Sequence, residues 1–435
     1  MWSDVTSKII DRVAAGTDAA LVESAQSLRN AAAVRQAADR MFALALDGAL
    51  QEWTVNLDRL PAAAQFVAKV VRQRYPQLDP PFHARWRHFV FDVPASGRRR
   101  RDLWREIAAS QSWPDSAAQA RAEFDLVIAS VLLDAGAGAD WRYRDEVSGL
   151  TLQRSEGLAL ASLRWFENGG LSADTDDLLR VDASELERID AASLREAFQA
   201  SQINPLLGVE GRASLLNRLG VAVRTRPDLF ALADSPRPGG LFDLLVQRAA
   251  DQPLRAAVIL ETVLEAFGSI WQHRPSLGGI SLGDCWPHPA LQGPNPADGY
   301  APLHKLSQWL TYSLIEPLES AGIRVCGVEE LTGLAEYRNG GLFTDLDVLV
   351  PRDDHARTAV HGIADPFVVG WRALTVALLD RIAPLVSADL GLAPESFPLP
   401  RVLEGGTWAA GRLIAREKRA DGGPPFRITS DGTVF

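Results

Sequence analysis

Apolar residues recur at helical spacing through most of this chain, and that periodicity limits it to a mainly α architecture. Trp371, Leu374, Leu378, Ile382 and Leu385 fall at i, i+3, i+7, i+11 and i+14, one face of a helix. Leu303, Leu306, Leu310 and Leu314 do the same behind Pro302, a residue suited to a first helical turn. Helical patterns also fit 17–50, 61–74, 101–111, 153–167, 183–199, 209–221 and 251–270. The alanine-rich first third adds high intrinsic helix propensity. Strand signals are sparse. Segment 323–328 is short and β-rich, 346–350 stops at Pro351, and Asn339-Gly340-Gly341 between them reads as a turn. A small β-hairpin excursion on a helical body follows, with the tail 426–435 as a further extended segment. No solenoid-like period repeats, and the Pro- and Gly-rich stretches 234–240 and 274–302 do not read as flexible linkers. The pattern predicts a single large helical domain over 1–435. The one subdivision it allows is an N-terminal helical subdomain, 1–115, on a core of 116–435.

A composition of 47% hydrophobic and 23% charged residues is that of an ordinary globular protein. The formal charge of −10 argues against the basic surface of a nucleic-acid binder. No apolar run of about 18 residues predicts a membrane span, and the first residues lack the charged and apolar regions of a signal peptide. Cys285 and Cys326 are the only cysteines. A disulfide framework is therefore out of play, and a cytoplasmic setting is the simplest expectation.

The segments that carry chemistry are short and dense. Segment 124–144 runs from an apolar core element, helix or strand, into a small-residue turn bearing Asp140, Trp141 and Arg142. Gly136 and Gly138 let the backbone bend sharply there or let a ligand come close; a plain helix stop with a surface Trp is the alternative. His83, Arg85, Trp86, Arg87 and His88 crowd into six positions, combining forks for phosphate or carboxylate with a stacking plane. Glu156 follows Arg154-Ser155 at a helix start, as a cap or as a carboxylate facing a pocket. His304 and Lys305 open another helix, where cations are unfavourable unless an anion is bound, and Trp309 follows one turn later. Of the 45 basic residues only Lys8, Lys69, Lys305 and Lys418 are lysines, which makes Lys305 notable as a compact point charge. Asp345 and Asp347 stand two apart on an expected strand, so alternation would turn both to one face. Two such carboxylates are the usual equipment for cleaving a bond at an anomeric carbon. Cys285 and His288, with Cys326, His273 or His304, lack the second paired motif of a metal site, and no metal is expected.

With these segments in view, the chain resembles the uracil-catabolism proteins named for the fourth gene of the URC pyrimidine-degradation route. The matching motifs are Pro-Phe-His-Ala-Arg-Trp-Arg-His-Phe (81–89), Ser-Val-Leu-Leu-Asp-Ala-Gly-Ala-Gly (130–138) with Asp-Trp-Arg-Tyr-Arg (140–144), and Arg-Ser-Glu-Gly (154–157). Further on come Asn-Pro-Leu-Leu-Gly (204–208), Glu-Gly-Arg (210–212), His-Lys-Leu-Ser-Gln-Trp-Leu-Thr-Tyr-Ser (304–313), Trp-Arg-Ala-Leu-Thr-Val (371–376) and Leu-Glu-Gly-Gly-Thr-Trp-Ala-Ala-Gly-Arg (403–412).

A remoter similarity is to the queuosine-salvage nucleotide N-glycosidases, a helical family akin to helix-hairpin-helix glycosylases. Their Phe-Ala-Asp-Tyr-Arg-x-Pro segment aligns with 343–351, placing Asp345 at their pocket aspartate, and their Glu-x-Arg helix start resembles Gly370-Trp371-Arg372. Glycine stands here where the glutamate is expected, so no acid role falls on position 370.

The resemblance implies a helix-hairpin-helix glycosylase-like fold and hydrolysis of an N-glycosidic bond in a ring-opened pyrimidine nucleoside or nucleotide, of the ribosyl-urea type. Asp345 is then the base or cation stabiliser, with Asp347 and Glu156 as partners and Asp140 or Asp134 as alternative proton donors. Trp141 supplies a wall. Arg85, Arg87, Arg142 and Lys305 hold phosphate, and His83, Trp86, His304, Trp309, Arg338 and Arg372 complete the substrate-binding set. No cofactor is implied, and the expected partner is a small nucleoside or nucleotide rather than a nucleic acid or membrane. A non-catalytic nucleotide-binding or scaffolding subunit, and a metal-dependent ureide amidohydrolase, are the alternatives.

Overall fold

The computed structural model describes residues 19–93, 99–230 and 235–429. The architecture is mainly α. The helices that build the core and the site are α1 (Ala31–Leu46), α2 (Leu60–Arg74), α3 (Ser116–Leu132), α4 (Arg154–Glu167), α5 (Val209–Thr225), α6 (Lys305–Ser320), α7 (Tyr337–Asp345), α8 (Pro366–Leu390) and α9 (Trp408–Lys418). One contiguous apolar cluster runs from Ala31 to Phe426. The early helices share it with the last third of the chain, because α1 and α2 both pack against α8. No described helix is long and apolar enough to cross a membrane.

Helix α8 is the axis of this body. The Asp365 side chain accepts from Phe367 N at 2.9 Å and Pro366 occupies the first turn, so the start is fixed twice. The expected single apolar face is too narrow a description. Val368, Gly370, Ala373, Val376 and Ala377 are buried as well, while Leu385 is 39% exposed. A helix covered nearly all round by protein needs no polar face.

Segment 124–132 lies in α3, capped by Asp115, whose carboxylate accepts from Ala118 N at 2.7 Å. Asp125 sits within the apolar run because Arg237 Nε, Val181 N and Gly239 N all donate to it. The pattern over 183–199 resolves into Ala183–Leu186 and Ala191–Ala197, since Asp190 opens a new capping box with Ser193.

Described strands are at most four residues long and pair only in twos. The antiparallel ladder expected within 323–350 does not form; the longest described one lies between Val90–Val93 and Arg99–Asp102. Val325–Cys326 pairs in parallel with Leu254–Arg255, and Leu349–Pro351 pairs antiparallel with Trp53–Val55. Between them, Asn339-Gly340-Gly341 is not a turn but part of α7. Glu336 caps that helix by accepting from Arg338 N at 2.7 Å and Asn339 N at 2.6 Å. Its glycine serves packing: a Cβ at Gly340 would lie 2.7 Å from the Trp371 ring. Of the extended tail, Arg427–Thr429 pairs in parallel with Val360–Gly362, and 430–435 lie outside the described residues.

Across the other side of α7, a Cβ on Gly411 of α9 would stand 2.2 Å from the Arg338 carbonyl oxygen. Backbone cannot yield as a side-chain tip can. Gly411→Ala is expected to lower unfolding free energy by about 1–3 kcal/mol, although alanine is the better helix former by about 1 kcal/mol. Urea denaturation followed by circular dichroism reads the difference.

Candidate active site

Where α3 ends, the small-residue turn 134–139 forms one side of a cleft of about 420 Å³. The starts of α4 and α6, the segment 334–338, the exposed side of α9 and the turn 421–424 enclose the rest. The turn keeps its shape through Arg212 of α5, fully buried. Its Nε donates to Leu133 O at 3.0 Å and its Nη2 to Ala135 O at 2.6 Å, while Nη1 reaches Leu207 O. Burial pushes its pKa down to about 10, which still leaves it a cation.

Two walls of the cleft are built alike. Lys305 and Trp309 on α6, and Trp408 and Arg412 on α9, are i,i+4 pairs, neighbours on a helix surface. The Lys305 ammonium lies 5.5 Å from the Trp309 ring centre, and the Arg412 guanidinium 4.8 Å from that of Trp408. The His83 and His88 rings bridge the tryptophans: His83 is 6.0 Å from Trp309 and 5.9 Å from Trp408, and His88 is 5.6 and 5.8 Å from the same rings. Glu404 accepts from His83 at 2.8 Å and from the Tyr75 hydroxyl at 3.1 Å, which fixes that ring. Glu404 belongs to a single π-helical turn, Leu403–Thr407, inserted ahead of α9. Burial, with the Arg85 charge beside it, drives the His88 pKa down to about 4.

Four carboxylates line the cleft: Asp134, Glu156, Glu336 and Asp421. Asp134 accepts from Arg85 Nη1 at 2.7 Å and from the Ser155 hydroxyl at 2.8 Å. Glu156 is paired with Arg412. Burial works against its charge, but the charge and hydrogen bond of Arg412 outweigh that and hold its pKa below the usual range. Glu336 behaves oppositely: burial raises its pKa, despite the two backbone N–H groups it accepts from and the charges of Lys305 and Arg338. Burial also lowers the pKa of Lys305. One cleft thus holds two carboxylates whose pKa values are pushed in opposite directions, Glu156 downward and Glu336 upward.

Residues 27–435 match the family described as "Protein of unknown function (DUF1688)". The chain belongs to that family. It is 35% identical over 419 residues to "Uracil catabolism protein 4" of Lachancea kluyveri, covering 89% of this chain and 93% of that protein. It is 36% identical over 418 residues to "Protein urg3" of Schizosaccharomyces pombe, covering 92% and 96%.

In this family member the cleft gathers six of the residues singled out from sequence: His83, Asp134, Glu156, Lys305, Trp309 and Arg338. The others lie elsewhere. Asp345, expected on a strand facing substrate, ends α7 and is held by Arg419 at 2.7 and 2.5 Å. Asp347 is exposed in the left-handed turn that follows, with φ of 59°. Neither lines the cleft, because the segment is a capped helix and strand alternation does not apply. Asp140 and Arg142 are exposed on the outer side of the small-residue turn. Trp141 is fully buried and donates to Phe198 O at 2.9 Å, so it supports the turn rather than forming a wall. Trp86 donates to Ser313 O at 2.7 Å, and Arg87 pairs with Glu316. Arg85 lies beneath the cleft, buried against Asp134. His304 is bound through Nε2 to Leu28 O at 2.9 Å, and Arg372 grips Asp284 with two bonds of 2.7 Å. His288 contacts Pro366 O, and Cys285 is buried, its thiol pKa pushed up by burial. No three His, Cys, Asp or Glu side chains converge for a metal among the described residues.

Sequence reasoning passed over Arg154, Glu336, Trp408 and Arg412 as cleft residues, and it noted His88 within its crowded segment without including it in the substrate-binding set. Arg154, Trp408 and Arg412 stood inside the motifs quoted above, as did His88, while Glu336 stood just ahead of Asn339-Gly340-Gly341. The i,i+4 spacing of Trp408 and Arg412, repeating that of Lys305 and Trp309, was the available signal. His88 is expected to stay neutral down to about pH 4. Its ring protons in an NMR titration should show no midpoint near 6.5, the value of a solvated histidine; such a midpoint would mean the aromatic wall is wet.

Proposed function

We propose that this protein hydrolyses the N-glycosidic bond of a ring-opened pyrimidine nucleoside or nucleotide of the ribosyl-urea type. The observation that carries the reading is the divergence of Glu156 and Glu336 within one cleft, the first shifted below and the second above the usual carboxylate range. The name of the Lachancea relative supports uracil breakdown as the setting. Urea is a poor anionic leaving group, so the reaction needs a proton donor as well as a base. The C1–N bond breaks with its electron pair going to nitrogen, and that nitrogen takes the proton of Glu336. A water oxygen bonds to C1, and its proton passes to Glu156. Asp134, fixed by Arg85 and Ser155, adds negative charge to offset the positive charge that grows at C1. Trp309, Trp408 and the neutral His88 give planar apolar faces for the sugar and the ureido plane and keep bulk water from the reacting carbon.

The test is an assay of urea and reducing sugar after incubation with ribosyl-urea and its 5′-phosphate. Glu156→Gln and Glu336→Gln should each lower kcat by about 10²–10⁴-fold, while Asp347→Asn, exposed and outside the cleft, should keep full turnover. Absence of urea release from the wild type, or full turnover in both glutamate variants, refutes the reading. Tight substrate binding without turnover would point to a sensing or scaffolding subunit, and ammonia release dependent on added metal to an amidohydrolase.

A further inference from the structure

We infer that the cleft contains a phosphomonoester subsite at its 421–424 side, built from Arg154 and Arg338 with Lys305 as the third cation. The inference rests on the reading above only for the sugar that would carry the phosphate. The charges in the cleft are unequally satisfied. Each carboxylate is engaged: Asp134 by Arg85 and Ser155, Glu156 by Arg412, Glu336 by two backbone N–H groups, and Asp421 by Gly423 N. Three cations are not. Arg154 Nη2 donates to Asp421 O at 3.1 Å, Arg338 Nη1 donates to Gly422 O at 2.9 Å, and Lys305 has only the Trp309 face. None of the three forms an ion pair among the described residues.

Arg338 is decisive, because it is 5% exposed and its guanidinium has no carboxylate in contact among the described residues, only the longer-range charge of Glu336, an unfavourable state for a buried cation. Arg154 and Arg338 hold consecutive carbonyls of one turn, so their guanidinium groups converge from two different elements, the start of α4 and the start of α7. Arg154 takes a left-handed φ of 56° to do this, an unusual conformation for a residue with a side chain. Two planar forks on one turn suit the three oxygens of a phosphate monoester, and Lys305 supplies a point charge. The subsite would thereby select a nucleotide over a nucleoside.

The experiment titrates the full chain by calorimetry with ribose 5-phosphate, with ribose, and with inorganic phosphate as competitor. The wild type should bind ribose 5-phosphate at least tenfold more tightly than ribose, and phosphate should compete. Arg154→Gln, Arg338→Gln and Lys305→Gln should each remove at least tenfold, with KM rising for phosphorylated substrate more than kcat falls. Arg338 also anchors the turn, so thermal melts accompany each variant, and the less buried Arg154 and Lys305 variants decide if Arg338→Gln fails to fold. Equal binding of ribose and ribose 5-phosphate, or unchanged binding in the Arg154 and Lys305 variants, overturns the subsite. Phosphate-dependent binding without urea release would leave the subsite standing and remove the hydrolase. Equal hydrolysis of both substrates at equal KM would do the reverse.

Discussion

The buried contact between Arg85 and Asp134 is where the helical body and the cleft become one structure. Arg85 is fully buried, and its Nη1 reaches Asp134 at 2.7 Å while its Nε reaches Ser130 of α3 at 2.7 Å. Ser130 in turn meets Ser162 of α4 at 2.6 Å, and the other Asp134 oxygen takes the Ser155 hydroxyl. Charge, α3 and the start of α4 are therefore fixed by the same few polar atoms. Withdrawing either ion would leave the other uncompensated in low dielectric, a penalty of about 3–5 kcal/mol. That cost holds Asp134 at the cleft floor when no ligand is bound, so its orientation need not be assembled during binding.

Rigidity is spread unevenly around the cleft. The 134–139 turn contributes small residues, and its carbonyls are pinned from behind by Arg212. The walls on α6 and α9 are tryptophans with a cation stacked one turn along. The side at 421–424 is different, held to the body by arginine-to-carbonyl bonds from Arg154, Arg338 and Arg419. Polar bonds of that kind exchange with a ligand or with water far more readily than buried aromatic contacts do.

Much of the fold was legible because it depends on periodicity, which a sequence displays directly. Segments with regular apolar spacing became helices, with ends shifted where Asp115, Asp190 or Asp365 supplied a cap. The site was legible in part. His83, Lys305 and Trp309 stand out by type and crowding, and they do meet. Asp345 and Asp347 stood out equally and do not reach the cleft, because the glycines before them signalled a turn that is in fact close helix packing. Glu336 was overlooked for the complementary reason. What distinguishes it is burial opposite Lys305, and burial arises from tertiary neighbours hundreds of positions away in the case of α1 and α2, or from α9 in the case of α7. Trp141 illustrates the same limit, since a tryptophan beside two arginines looks like a ligand wall until Phe198 is seen to cover it.

The π-helical turn at 403–407 has a bearing on how such a cleft can vary. An α-helix advances about 100° per residue, so a single surplus residue offsets everything beyond it by that angle. Glu404 is thereby aimed back at His83 and Tyr75, while Trp408 and Arg412 are aimed forward into the cleft. Insertions and deletions between the helices would only lengthen or shorten loops. Here a change of one residue would act as a dial, turning a wall of the chamber away from its floor while leaving the helix itself intact.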